Sequence, residues 1–148
     1  MKIEYEPIGF VRSPYKNLKE IPNQPHYAKD ITGQVEIFPE YELGLKDLDG
    51  FSHLILVCHF HMSSEFRLQV VPSRETEIRG LFSTRSPNRP NPVGISIVRL
   101  KKIEKNILLI SDLDILDGTP VIDLKPYVGE FEKLSDVSIG WNHVMKKQ

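Results

Sequence analysis

Two arginines, Arg85 and Arg89, stand in the segment 84-TRSPNRPNPVGIS-96, where Pro87, Pro90 and Pro92 restrict φ and withhold backbone donors. The prolines bar a helix, so a spacing of four does not put the two guanidinium groups on one face. A stiff loop loses little entropy when it grips an anion, and a guanidinium fork suits a carboxylate or a phosphate. The alternative is that one arginine pairs with Asp114 or Asp117 and staples loop to turn. One arginine can serve each role.

Three acids follow in 112-DLDILDGTP-120. Asp117-Gly118 is a turn signal, and an aspartate there can satisfy local backbone donors. Asp114 lies among Leu113, Ile115 and Leu116, where a carboxylate must pair, bind a donor such as a ribose hydroxyl, or shift its pKa. That favours a site role. If 107–116 is a single strand, Asp112 and Asp114 share a face. His59 and His61 fall on one side of a strand over 53–60, with Cys58 on the other. Two imidazoles are too few for a zinc site, so these histidines are expected in or beside a pocket, with no metal. The chain has no GxGxxG after a strand, no GxxxxGK[ST], no GxSxG elbow and no HExxH helix.

The elements that must position these residues are mostly strands. Short β-prone runs recur at 7–13, 33–38, 53–60, 93–100, 107–116 and 121–124, divided by turn residues. Alternation sets Val93, Ile95 and Ile97 against Gly94, Ser96 and Val98, and aligns Leu109, Ser111, Leu113 and Ile115. The link 101–106 closes on Lys105-Asn106 as a hairpin or short loop. Helical signals are few: one or two turns over 39–48, interrupted by Gly44, and a last helix over 137–147 capped by Ser135 or Asp136 and weakened by Gly140. The expected fold class is mainly β, a single-domain barrel or sandwich with short helical segments.

With 148 residues, the chain suffices for one core. Nineteen Lys+Arg against 20 Asp+Glu leave a net charge of −1, so total charge does not announce a nucleic-acid binder. Between Arg74 and Lys102, however, five Arg and two Lys face only Glu75 and Glu77. An anionic partner would be met there. No signal peptide or apolar run of membrane-spanning length is visible, and the lone Cys58 has no disulfide partner, so a soluble cytoplasmic protein is expected.

The block 80-GLFSTRSPNRPNPVGIS-96, followed by 112-DLDILDGTPVIDLKPY-127, resembles the signature of the TsaA-like (YaeB/TrmO) family. So do 8-IGFVRSPYK-16, the pair Gln24-Pro25 and 50-GFSHLILVCHFH-61, in the same order. The resemblance covers roughly residues 6 to 128, leaving 129–148 as a tail or short helix. It implies a β-barrel methyltransferase, usually a homodimer, with S-adenosyl-L-methionine as methyl donor. The implied acceptor is N6 of threonylcarbamoylated adenosine at position 37 of certain tRNAs. The implied cofactor contacts are Pro25, His26 and Tyr27; His61 and Met62; Arg85; Ile95; and Ser111, Asp112, Leu113 and Asp114. Three departures stand out: Asn23 occupies a position where Arg is common, Met62 replaces a polar residue seen in some members, and some members carry a C-terminal extension.

A carbamoylated N6 shares its lone pair with the carbonyl, so methylation calls for a base, with Asp117 the leading candidate and Asp114 behind it. RNA would be met by Arg89, Arg12 and Lys16, with Tyr15 able to stack on an unpaired base. Two alternatives are a barrel that binds nucleotide or RNA without catalysis, and a methyltransferase with a small-molecule acceptor.

Overall fold

The computed structural model describes residues 1–22 and 28–142. Among these, eight strands follow in chain order: β1 (Gly9–Arg12), β2 (Gly33–Ile37), β3 (His53–His59), β4 (Gln69–Val70), β5 (Arg79–Gly80), β6 (Val93–Glu104), β7 (Ile107–Ser111) and β8 (Pro120–Pro126). One turn of α-helix, α1 (Gly129–Glu132), comes after them. Six strands close into a barrel in the order β1-β2-β7-β6-β3-β8, and each pairing is antiparallel. The expected β-barrel is therefore the fold. Closure comes from β1 and β8, through Gly9 opposite Val121 and Phe10 opposite Pro120, and it leaves the barrel without a free edge. β4 and β5 form a separate small ribbon. No helix among the described residues is long and apolar enough to cross a membrane.

The core is built from strand residues of alternate register: Val11 and Val35, Leu54 and Leu56, Val98, Leu108 and Ile110, and Val121. Gly9 is required where β1 meets β2, because a Cβ there would lie 2.1 Å from the carbonyl oxygen of Glu36.

Several sequence expectations are corrected. The strand expected over 107–116 ends at Ser111, since Asp112 takes a left-handed φ of 62°. From there the 28–31 segment supplies the partners: Asp30 N–H donates to Asp112 Oδ1 at 2.9 Å, and Leu113 N–H to Ile31 O at 3.2 Å. Asp112 and Asp114 thus do not share a strand face. In β7, Leu108, Ile110 and Ser111 are buried and Leu109 faces outward. β6 runs on to Glu104, through an irregularity between Leu100 and Lys102, and a two-residue turn at Lys105-Asn106 leads into β7. Positions 39–48 form 3-10 turns, Pro39–Leu45 being the longest, and Gly44 lies within it. Residues 137–139 are not helical, and the remainder of the expected last helix beyond 142 lies outside the described residues.

Candidate active site

The loop from 84 to 92 is welded to itself and to the end of β3. Thr84 Oγ1 donates to Leu81 O at 2.7 Å, and Ser64 N–H donates to Asn88 Oδ1 at 2.8 Å. Phe60 N–H donates to Pro92 O at 2.7 Å. Arg89 is the internal clamp: its Nη1 donates to the carbonyls of Thr84 at 3.0 Å and Ser86 at 3.1 Å. The stapling role foreseen for one arginine falls to Arg89, but its partners are its own loop's carbonyls and not Asp114 or Asp117. Arg85 has no hydrogen-bond or ion-pair partner among the described residues. The prolines and Arg89 hold the loop.

That loop forms one wall of a cleft of about 850 Å3. Arg85, Arg89 and Lys29 line it, with Val93, Ile95 and Ile97 of β6. Asp112, Asp114 and Ser96 add to its polar lining. The apolar stripe of β6 is therefore outside the core: Ile95 is 70% exposed, although its neighbours across the pleat, Gly94 and Val98, are buried. The size and mixture suit a small molecule with apolar and charged parts. Gly94 lets the Phe60 ring, which also lines the cleft, lie directly on β6, since a Cβ there would fall 1.9 Å from that ring.

Asp114 is held from one side. Ser96 Oγ donates to its Oδ1 at 2.5 Å, and Oδ2 has no partner among the described residues. Its charge is felt nearby. Burial first, and Asp114 second, push the Cys58 thiol up to about 12. The same two causes, in the same order, raise the Tyr15 phenol, so Tyr15 stands within electrostatic reach of Asp114. Ser111, expected as a cofactor contact, is buried at 2% exposure and does not line the cleft, and its Oγ has no hydrogen-bond partner among the described residues.

Asp117 lies elsewhere. It accepts from Ser13 N–H at 2.9 Å, pairs with Lys16 at 3.0 Å, and lines a second, shallower cleft of about 420 Å3 with Arg12, Lys16 and Gln34. Its own N–H donates to Tyr15 O at 2.8 Å, so it braces the 13–16 turn. The Ser13 N–H bond chiefly lowers its pKa, with Lys16 and Arg12 adding to the effect. Such a group stabilises the fold above the ordinary aspartate value of 3.8, and the contribution is lost as pH falls through the lower folded value. Asp117→Asn should therefore lower stability by about 1 kcal/mol at neutral pH and flatten its decline below pH ~4. Chemical unfolding of both proteins across that range checks this, and identical profiles would show that these bonds contribute nothing.

The other expected site residues divide. Leu113 is a core side chain whose N–H is already used, so of its polar atoms only its carbonyl could face a ligand. His61 and Met62 are exposed in the turn after β3 and do not line the larger cleft, whereas Phe60 and His53 do. His53 Nδ1 is 2.8 Å from Ser52 Oγ, and its ring meets Tyr127 edge-on at 6.2 Å. No cluster of three metal-ligating side chains occurs among the described residues. Pro25, His26 and Tyr27 lie outside the described residues. Arg12 pairs with Glu36 at 3.5 Å and lies 5.9 Å from the Phe10 ring centroid. Ser96 and Lys29 were missed by sequence reasoning. A hydroxyl on the inward-facing row of a strand, between Gly94 and Val98, was the available signal for Ser96.

Residues 10–133 match the family described as the tRNA-methyltransferase O N-terminal domain. A probable S-adenosyl-L-methionine-binding protein of Pyrococcus abyssi is 53% identical over 141 residues, which cover 95% of this chain and 77% of that protein. The tRNA (adenine(37)-N6)-methyltransferase of Escherichia coli is 38% identical, over 93% of this chain and 63% of that enzyme. A crystal structure of TrmO superposes with a TM-score of 0.80 at 37% identity, covering 95% of this chain and 64% of that one. This chain thus spans less than two thirds of the E. coli enzyme and of the solved TrmO. Since the match runs from β1 through α1 and the barrel is shared, the chain belongs to the tRNA-methyltransferase O N-terminal domain family.

Proposed function

We propose that the larger cleft binds S-adenosyl-L-methionine and that the protein methylates N6 of adenosine 37 of tRNA, carrying a threonylcarbamoyl group. The observation that carries this reading is the presence, in the lining of one cleft, of Arg85, without a partner among the described residues, a Ser96-held Asp114 and the apolar Val93, Ile95 and Ile97. The names of the P. abyssi and E. coli relatives support it.

The residues fit such a cofactor. Arg85 suits its carboxylate, Ile95 and Ile97 give apolar surface for the adenine, and Asp112 offers an acceptor for amine or ribose. When bound, the cofactor supplies an electrophilic methyl on a sulfonium sulfur. The chain's own task is to hold N6 in line and to receive its proton. We assign that proton to Asp114 Oδ2, because Ser96 fixes the carboxylate through Oδ1 and leaves Oδ2 open. Asp117, which sequence reasoning put first, is held by Ser13 and Lys16 in the other cleft and serves the turn in this reading. Arg12, Lys16 and Tyr15 offer a second contact surface for RNA; the ion pairs of the two cations are exposed and cheaply exchanged for phosphate. A homodimer in the cytoplasm, where tRNA is met, completes the proposal.

Calorimetric titration with S-adenosyl-L-methionine, followed by a methyl-transfer assay on tRNA, tests the reading. Saturable binding with transfer to the adenosine 37 base is expected. Binding without transfer to any tRNA would favour a nucleotide-binding barrel, and transfer to small acceptors alone would remove tRNA as substrate.

A further inference from the structure

Phe82 presents 72% of its surface to solvent, although the turn that carries it is anchored on both sides. Leu81 before it is 1% exposed, and Thr84 N–H donates to Leu81 O at 3.0 Å. Ser83 Oγ donates to Gly80 O at 2.8 Å, and Trp141 Nε1 donates to Ser83 O at 2.9 Å. The Trp141 ring is itself covered by the Arg79 guanidinium, 5.2 Å from its centroid. A lone exposed aromatic is unremarkable. One set on an anchored turn, beside a cation that lines the cleft, is not explained by packing.

The cation is Arg89, whose guanidinium lies 5.8 Å from the Phe82 centroid. Its bonds to Thr84 and Ser86 carbonyls keep it there, and both of those residues line the cleft. Aromatic faces and guanidinium planes are the surfaces on which unpaired RNA bases stack, and the positive charge of Arg85 and Arg89 complements a phosphate chain, while Arg79 is paired with Glu75 at 3.6 Å and Glu77 at 3.1 Å. We propose that Phe82, backed by Arg89, is a stacking shelf for an unpaired RNA base adjacent to the adenosine that enters the cleft. This rests on the reading of the cleft as that of a tRNA methyltransferase and adds the residue that recognises the loop around the target.

The test uses an unmodified anticodon stem-loop RNA, labelled for fluorescence anisotropy at about 50 mM salt, with the full chain. Phe82→Ala should weaken RNA binding about tenfold, and Phe82→Trp should restore it, since the stack needs a ring. Cofactor affinity and unfolding temperature should not move in either variant, because Phe82 fills no core position. Equal RNA affinity of wild type and Phe82→Ala overturns the shelf and leaves methyl transfer standing. A Phe82→Ala change that alters sedimentation mass while RNA affinity holds overturns it in favour of a second copy covering the ring. RNA affinity that depends on Phe82 without methyl transfer to tRNA supports the shelf and sinks the enzymatic reading instead.

Discussion

Asp114→Asn should cut methyl transfer to tRNA by about two to four orders of magnitude, the range that a positioned base contributes. The amide is nearly isosteric and keeps an oxygen for the Ser96 hydroxyl, so the local geometry survives. What disappears is the charge at Oδ2 and the capacity to accept the N6 proton. Single-turnover rates measured at saturating cofactor separate this from a binding defect. Ser96→Ala is the companion variant. It leaves the carboxylate in place but frees its rotation, so it should lower the rate by less than Asp114→Asn does. A wild-type rate in Asp114→Asn would return the search for a base to other groups in the cleft.

Arg85→Ala should weaken S-adenosyl-L-methionine about ten- to a hundredfold, the scale of a lost hydrogen bond to a charged group. Because Arg85 has no partner among the described residues, its removal breaks no hydrogen bond or ion pair among them, and the unfolding temperature should stay where it is. Arg85→Lys should recover only part of the affinity, because an ammonium lacks the planar fork. Calorimetry on the three proteins decides the matter. Unchanged cofactor affinity in Arg85→Ala would move Arg85 to the RNA side of the cleft, and a stability loss would mean that it supports the loop.

Much of the barrel was legible in the sequence. Each of the six barrel strands was visible as a short alternating run between turn residues, and Lys105-Asn106 marked its hairpin. What misled was phase and extent. The run 107–116 is apolar enough to read as one strand, yet β2 offers pairing only from Gly33, opposite Ile110, and the 28–31 segment takes over beyond it. Likewise the alternation of Val93, Ile95 and Ile97 with Gly94, Ser96 and Val98 gave two faces without saying which is buried. The tertiary fold turned the first of these toward the cleft.

The candidate site shows the same division. The residue types and their stiff loop were readable: arginines among prolines, and an aspartate in an apolar run that had to find a partner. By itself the sequence determined the strand-and-turn pattern, the rigidity of 84–92 and the presence of carboxylates that needed company. Only the tertiary structure decided which was which. Barrel closure joins β1 to β8, far apart in the chain, and so sends Asp117 to Ser13 and Lys16, while β6 brings Ser96 to Asp114. Those partners are set by packing between distant strands, and local sequence carries no record of distance in space.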